Sequence, residues 1–163
     1  MMKPSDTLTT LFNHHLWANV RLLEQCARLT VEQLETTMPG ARGSIYETLQ
    51  HIVNSERSYL SRISTGEPYR RPAEARPMTI GEMIEAVRLS GMGLIEWAAK
   101  VQPEDVVEVH WEGAPRSVPK AIILTQAINH ATEHREQVKA ILTKLGVEPP
   151  DLQAWAYFEE MDS

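Results

Sequence analysis

The chain contains 163 residues, of which 42% are hydrophobic and 23% are charged, and its formal net charge is −6. That length is sufficient for the core of one domain, so we expect residues 1–163 to form a single domain. The negative charge, with no basic run longer than Arg70 and Arg71, argues against a nucleic-acid-binding surface. Cys26 is the only cysteine, and the sequence has neither a secretory signal pattern nor an apolar run of membrane-spanning length. We therefore expect a cytoplasmic protein with a small-molecule substrate and no nucleic-acid or membrane partner.

The first predicted helix follows Ser5 or Asp6, either of which can cap a helix N-terminus. Apolar residues recur at three- and four-residue spacings over residues 8–29, as on one face of a helix. His15 and Asn19 share that face, and a buried polar group needs a hydrogen-bonding partner. We therefore expect both side chains to be hydrogen-bonded inside the protein.

The second predicted helix opens with a capping-box pattern formed by Ser44 and Glu47. Glu56 lies inside the apolar stripe of this helix. His51, by contrast, falls about 140° from the centre of the stripe on a wheel of about 100° per residue, which favours a surface position. Residues 65–77 are dense in Pro and Gly and predict an exposed connection.

The third predicted helix is capped by Thr79, and residues 107–111 then alternate between apolar and polar side chains before the chain returns through residues 116–118. This alternation predicts a short hairpin that turns at residues 113–115, before a fourth long helix. Residues 151–160 predict a short C-terminal helix whose three aromatic side chains are expected to dock on apolar surface. Together the elements predict an all-α antiparallel four-helix bundle with a short β-hairpin before the fourth long helix and a short C-terminal helix.

The strongest functional signal is the pair His130 and His134 in the fourth long helix, over residues 122–145. A four-residue step returns two side chains to one face, about 5–6 Å apart between Cβ atoms, which is a suitable spacing for chelating one metal ion. Both histidines point toward the protein interior, because they lie in or beside the apolar stripe. The pattern leaves two interpretations open: ligands of a metal with a third ligand from elsewhere, or core histidines with hydrogen-bonding partners.

The same residues with Glu133 also match the H-x-x-E-H motif of inverted zincins, in which the glutamate is the general base of a metalloprotease. The sequence after His134 leaves little room for the downstream carboxylate ligand of such enzymes. We therefore do not expect proteolysis, and Glu133 is interpreted as a solvated carboxylate or one that contacts a ligand histidine.

Three motifs in chain order carry a family resemblance. They are Trp17, Ala18 and Asn19 followed by Arg21, Leu22 and Leu23; Leu49, Gln50, His51 and Ile52 with Glu56; and Asn129, His130, His134 and Arg135 with Gln137 and Val138. With these motifs the sequence resembles the DinB-like superfamily of metal-binding four-helix bundles. The resemblance extends over about residues 8–150. One departure is Glu136, where the family commonly has glycine, and it adds a carboxylate near the expected site.

The resemblance implies that His51, His130 and His134 hold one divalent transition metal, with water completing the coordination. Zn or Ni is the first expectation, and Fe or Mn is the alternative. This implication conflicts with the surface position that the helical wheel gives His51. Some members of the superfamily are transferases or isomerases that use a low-molecular-weight thiol such as bacillithiol, mycothiol or glutathione. The resemblance also implies a homodimer.

The functional hypothesis is a metal-dependent enzyme that activates a low-molecular-weight thiol as an S-transferase. Three neutral histidines leave the ion its full charge, so it can lower the pKa of a thiol or of water. Glu56 or Glu133 is predicted to accept the displaced proton. The aromatic side chains predicted to wall the pocket are Trp111, Trp155 and Tyr157. The alternatives are a hydrolase that uses water activated at the metal, a metal-binding stress-response bundle without turnover, and a bundle without metal.

Several further side chains have competing assignments. Glu56 is expected either to accept a hydrogen bond from a ligand histidine or to pair with Arg21 or Arg135. Trp17 is expected to pack in the interior, like Cys26, which is interpreted as a core residue rather than a ligand or nucleophile. The two remaining histidines, at positions 14 and 110, are predicted at the surface.

Overall fold

The computed structural model describes residues 6–163, except for the side chain of Trp111. Four long helices form the body of the protein: α1 (Thr7–Cys26), α3 (Ile45–Thr65), α4 (Ile80–Ala98) and α5 (Lys120–Lys144). A short helix α2 (Val31–Leu34) follows α1, strands β1 (Val106–Trp111) and β2 (Ala114–Pro119) precede α5, and α6 (Ala154–Asp162) ends the chain. The predicted helix bundle, with a hairpin before the last long helix and a short C-terminal helix, is confirmed. None of the helices in residues 6–163 combines the length and the apolar character needed to cross a membrane.

Local sequence signals place the starts of the long helices. The Asp6 carboxylate accepts a hydrogen bond from the backbone N–H of Thr9 at 2.9 Å, while Ser5 lies outside the described residues. Ser44 opens α3 with a capping box completed by Glu47, and Thr79 opens α4 in the same way. Each box satisfies backbone N–H groups that have no partner inside the helix. The predicted helix caps are therefore confirmed.

The hairpin pairs Val107 with Val118 in antiparallel register. Its turn consists of Glu112 and Gly113, with φ values of 53° and 79°. The predicted turn at residues 113–115 was therefore wrong, since Ala114 and Pro115 already belong to β2. Two successive residues with positive φ match the twist of a two-residue hairpin better than an Ala-Pro turn does.

Close packing of α4 depends on two small residues. A Cβ added at Gly91 would lie 2.6 Å from a methyl carbon of Leu16 in α1, and one at Gly93 would lie 2.6 Å from a methyl carbon of Leu60 in α3. Real Cβ atoms do not approach other atoms so closely, so each glycine lets a neighbouring leucine reach the α4 backbone. The small residues of α4 therefore allow close packing against both α1 and α3.

Buried apolar side chains form two clusters, one at each end of the bundle. The first cluster contains mainly Ala18, Leu22, Leu49, Val53, Met83, Val87, Val138 and Ile141, and the second contains mainly Phe12, Ile63, Leu94, Ile123, Leu124 and Ala127. On every long helix, buried polar residues lie between members of the two clusters. These residues, here called the polar layer, are His15, Asn19, Glu56, Ser90 and Arg135.

Candidate metal centre

Three histidines from α3 and α5 come together between these two helices. His130 and His134 lie one turn apart on α5, and His51 faces them from α3. The Nε2 atoms of His51 and His130 are 2.9 Å apart, and one ring nitrogen of each histidine lies within 4.8 Å of the others. The ring centroid of His51 lies 4.7 Å from that of His130 and 4.9 Å from that of His134, and the centroids of His130 and His134 are 4.5 Å apart. All three side chains are half-buried, so they are held by the helices yet open to solution.

Gln137 fixes the orientation of His134. Its Oε1 accepts the backbone N–H of Arg42 at 3.2 Å and lies 2.9 Å from Nδ1 of His134. Because this amide oxygen accepts hydrogen bonds, Nδ1 of His134 donates to it, and Nε2 is the ring atom that could bind a metal. Orientation of a ligand histidine through its second nitrogen is a regular feature of metal sites. Gln137 is part of the family motif, and its i, i+3 spacing from His134 is the signal that could have identified this role.

The donor set fits a first-row divalent metal ion. Ligand nitrogens around a tetrahedral Zn²⁺ with bonds of about 2.0–2.1 Å are roughly 3.3 Å apart, close to the separation of the His51 and His130 nitrogens. Two neutral imidazole nitrogens at this distance must share one hydrogen or face a common cation. Within residues 6–163, these histidines form the one group of three or more histidine, cysteine or acidic side chains arranged closely enough to hold a metal.

Burial and neighbouring positive charge keep His51 and His130 neutral. The pKa of His51 is lowered to about 4, first by burial and then by Arg42 and the other two histidines. The pKa of His130 is also lowered to about 4, first by burial and then by His134, against the opposing attraction of Glu133. A metal ligand must be the neutral imidazole, so both lone pairs are available at neutral pH.

The DinB family model matches residues 1–161. The chain belongs to the DinB family. No curated protein matches the chain. The grouping of His51 with His130 and His134, which the family resemblance implied, is present in this member.

The surface position that the helical wheel gave His51 was wrong. The helix α3 packs against α5 as well as against α4, so a second flank of α3 is covered by a neighbouring helix. His51 lies on that flank and is half-buried beside α5. The wheel identified the main buried face of α3 but not the second contact.

Glu133 and Glu136 of this DinB-family chain both lie on the exposed side of α5. Glu133 accepts a hydrogen bond from the Asn129 side chain at 3.2 Å, and its charge acts on His130. Glu136 is exposed and pairs with Lys139 at 2.9 Å. The carboxylate that replaces the usual family glycine therefore forms its ion pair along the helix rather than with the three histidines.

Glu56 is enclosed in the polar layer with 3% of its surface exposed. Its carboxylate accepts hydrogen bonds from His15 at 3.0 Å, Asn19 at 2.6 Å and Ser90 at 2.9 Å. The expected bonds to a ligand histidine, to Arg21 or to Arg135 are not among these contacts, and Arg21 pairs with Glu160 instead. The prediction that His15 and Asn19 have internal partners is confirmed.

Arg135 reaches Glu56 through an intermediate side chain. Its guanidinium donates to Oδ1 of Asn19 at 2.7 Å and to Oγ1 of Thr132 at 2.9 Å. Burial lowers the pKa of Arg135 to about 10, against the attraction of Glu56 and Glu136. The guanidinium stays charged at neutral pH, so the polar layer contains a buried cation and a buried carboxylate linked by Asn19.

His14 in α1 and Trp155 in α6 differ from their predicted positions, whereas Tyr157 agrees with its prediction. His14 is half-buried and donates to the carbonyl of Leu152 at 2.8 Å, so its predicted surface position was wrong. Tyr157 docks on the rings of His14 and Trp17, as expected for an aromatic in α6. Trp155 remains 76% exposed, because the nine-residue α6 presents only one face to α1. Neither aromatic contacts the three histidines, and the Trp111 side chain lies outside the described residues.

Lowering the pH is expected to destabilise the metal-free protein between about pH 6.5 and pH 4. The pKa of His51 and of His130 is about 4 in the folded protein. The unfolded chain, with values near 6.5, binds more protons in this interval, so the free energy of unfolding falls as the pH falls. Urea unfolding in chelator across this range measures the effect. A His51→Gln, His130→Gln double variant should show a shallower pH dependence, and an unchanged dependence would contradict the assignment.

Cys26 is expected to resist alkylation in the native protein. Its thiol is fully buried in the first apolar cluster, and burial raises its pKa to about 12. Since the thiolate is the reactive species, iodoacetamide should modify the chain only after denaturation. Mass spectrometry of native and denatured samples measures this, with the exposed variant Glu159→Cys as the positive control. Rapid native modification of Cys26 would show that the cluster opens.

Proposed function

We propose that this DinB-family chain binds one divalent metal through His51, His130 and His134 and activates a low-molecular-weight thiol for transfer to an electrophile. The observation that carries the proposal is the convergence of three imidazole nitrogens within 4.8 Å from two helices. Zn and Ni are the first candidates for the ion, because imidazole nitrogen suits both. Family membership supports the choice of a thiol as cosubstrate.

The number of ligands favours chemistry over a purely stabilising metal. A catalytic site has three protein ligands and one open position, whereas a structural site is closed by a fourth ligand. Three side chains of ligand type that could close the site are engaged elsewhere: Glu56 and His15 with each other, and Glu133 with Asn129. When bound, the ion would act as a Lewis acid that lowers the pKa of a thiol.

The surrounding residues support a bound thiolate. Arg42 lies close enough to His51 and His130 for its charge to lower the pKa of both, and the same positive charge favours an anionic sulfur. Glu133 is the better of the two predicted proton acceptors, because it is exposed beside His130. The carboxylate of Glu56 is buried and already accepts hydrogen bonds from three donors. In the transfer, the thiol sulfur bonds to the electrophilic carbon, the leaving group departs with its electron pair, and Glu133 accepts the thiol proton.

Cobalt substitution tests this function directly. Adding glutathione or bacillithiol to the Co²⁺-loaded protein should produce a sulfur-to-metal charge-transfer absorption in the near ultraviolet. The band should be absent in His51→Ala and present in Cys26→Ser, which has no thiol of its own. Transfer is then measured with monochlorobimane as the electrophile. A protein that holds cobalt but shows no such band with any thiol would be a metal-binding bundle without thiol activation.

A further inference from the structure

A second feature of the molecule adjoins the histidine cluster. A cavity of about 540 Å³ lies between α3, α5 and the hairpin. Tyr59 lines it and also packs edge-on against the ring of His130, with ring centroids 5.8 Å apart. Gln126 lines it one helical turn before His130. The cavity is therefore adjacent to the candidate metal centre, and Tyr59 contacts both.

The lining of this cavity is typical of a small-molecule site. Four aliphatic side chains form its apolar wall: Val109 and Val118 from the hairpin, and Ile122 and Ile123 from α5. Its volume falls in the usual range for ligand pockets, which are mainly apolar with a few polar groups that fix orientation. Arg62 supplies a positive charge to this lining.

Arg62 has no acidic partner among the described residues. It is half-buried near the end of α3, and no side-chain hydrogen bond or ion pair of its guanidinium is present within residues 6–163. Other arginines are engaged, since Arg21 pairs with Glu160 and Arg76 pairs with Glu82. The positive charge of Arg62 also opposes the rise that burial causes in the pKa of Tyr59, which places the guanidinium near the phenol. A half-buried guanidinium without an acidic partner among the described residues is suited to a carboxylate, which it binds through two parallel hydrogen bonds.

We infer that this cavity binds the electrophilic cosubstrate and that this cosubstrate is an apolar molecule bearing a carboxylate. The carboxylate pairs with Arg62, and the apolar body lies on the wall formed by the two valines and two isoleucines. This arrangement directs the other end of the molecule toward His130. The identification of the ligand as the electrophilic cosubstrate rests on the proposed function. The recognition of an apolar carboxylate rests on the cavity alone.

Binding of two matched probes tests the inference. The probes are 4-phenylbutyrate and its amide, which have nearly the same shape but differ in charge. The dissociation constant of each is measured by NMR titration of the full chain, once with chelator and once with bound Zn²⁺. The carboxylate should bind at least about tenfold more tightly than the amide in both conditions, as expected for a charge-assisted pair.

Variants separate the charge from the apolar wall. Arg62→Gln should reduce carboxylate affinity to that of the amide and leave amide affinity unchanged. Arg57→Gln is the matched control on the same helix, because the guanidinium of Arg57 stacks on Tyr69 at 3.9 Å, away from this cavity. Ile122→Asp, at a 57% exposed position of the wall, should weaken both probes without unfolding the chain.

Several outcomes would overturn the inference. They are equal affinity for the two probes, no measurable binding of either, no effect of Arg62→Gln, and no effect of Ile122→Asp. Carboxylate binding that requires Zn²⁺ and is unchanged in Arg62→Gln would place the ligand on the metal, and this result would also overturn the inference. Metal content is measured in the same samples. A wild-type chain that binds no metal would overturn the proposed function, while the titrations in chelator would still decide whether the cavity recognises a carboxylate.

Discussion

Replacing any one of His51, His130 and His134 with alanine is expected to abolish stoichiometric metal binding. The wild type should contain about one metal ion per chain, because the three imidazole side chains form one site. Loss of a direct ligand should lower affinity by more than the roughly 10–100-fold typical of a residue that only orients a ligand. Elemental analysis after reconstitution with Zn²⁺ or Ni²⁺ measures the metal content. Thermal melts with and without chelator measure the stabilisation by bound metal, about 2.7 kcal/mol when free metal is 100 times the dissociation constant.

His110→Ala is the control for the loss of a histidine from the surface. His110 is exposed on β1 and is not part of the three-histidine group. This variant should retain the metal and its stabilisation. Full metal content in His51→Ala would remove that residue from the ligand set, and absence of metal from the reconstituted wild type would leave a bundle with three half-buried histidines.

Replacing Glu56 with glutamine is expected to destabilise the fold by about 3–5 kcal/mol, the usual cost of removing one partner from a buried charged network. The change leaves the charge of Arg135 buried without its countercharge, and it places an amide N–H₂ where three donors now converge. Both effects act on the folded state. Urea unfolding of the metal-free protein, monitored by circular dichroism, measures the loss.

Glu24→Gln is the surface control for this prediction. Glu24 pairs with Arg88 at 3.2 Å, and both side chains are substantially exposed. An exposed pair contributes about 0–1 kcal/mol, so this variant should remain close to the wild type. A similarly small loss in Glu56→Gln would mean that the network is stabilised mainly by its neutral hydrogen bonds.

Local features of the fold could be predicted because they depend on neighbours in sequence. Asp6, Ser44 and Thr79 accept hydrogen bonds from backbone groups three residues later, so their roles as caps are visible in the sequence. The turn at Glu112 and Gly113 was missed because the Ala-Pro pair beside it resembles a turn more strongly. The backbone there uses positive φ at a non-glycine residue, a rare choice that local propensity disfavours.

The partners of buried polar side chains could not be predicted because they come from other helices. The apolar stripe correctly placed Glu56 inside the protein, but its donors lie on α1 and α4, far away in sequence. The position of His51 has the same cause, since its contact with α5 depends on how two helices pack. The family resemblance supplied that long-range information, which periodicity along a single helix does not contain.

The polar layer also restricts how the helices can slide along one another. A shift of α5 by one turn, about 5.4 Å, would carry Arg135 away from Asn19 and into an apolar cluster. Two uniform apolar cores would tolerate such sliding far better, because aliphatic contacts are not directional. The layer therefore selects one axial alignment of the bundle, and it is this alignment that brings His51 level with His130 and His134.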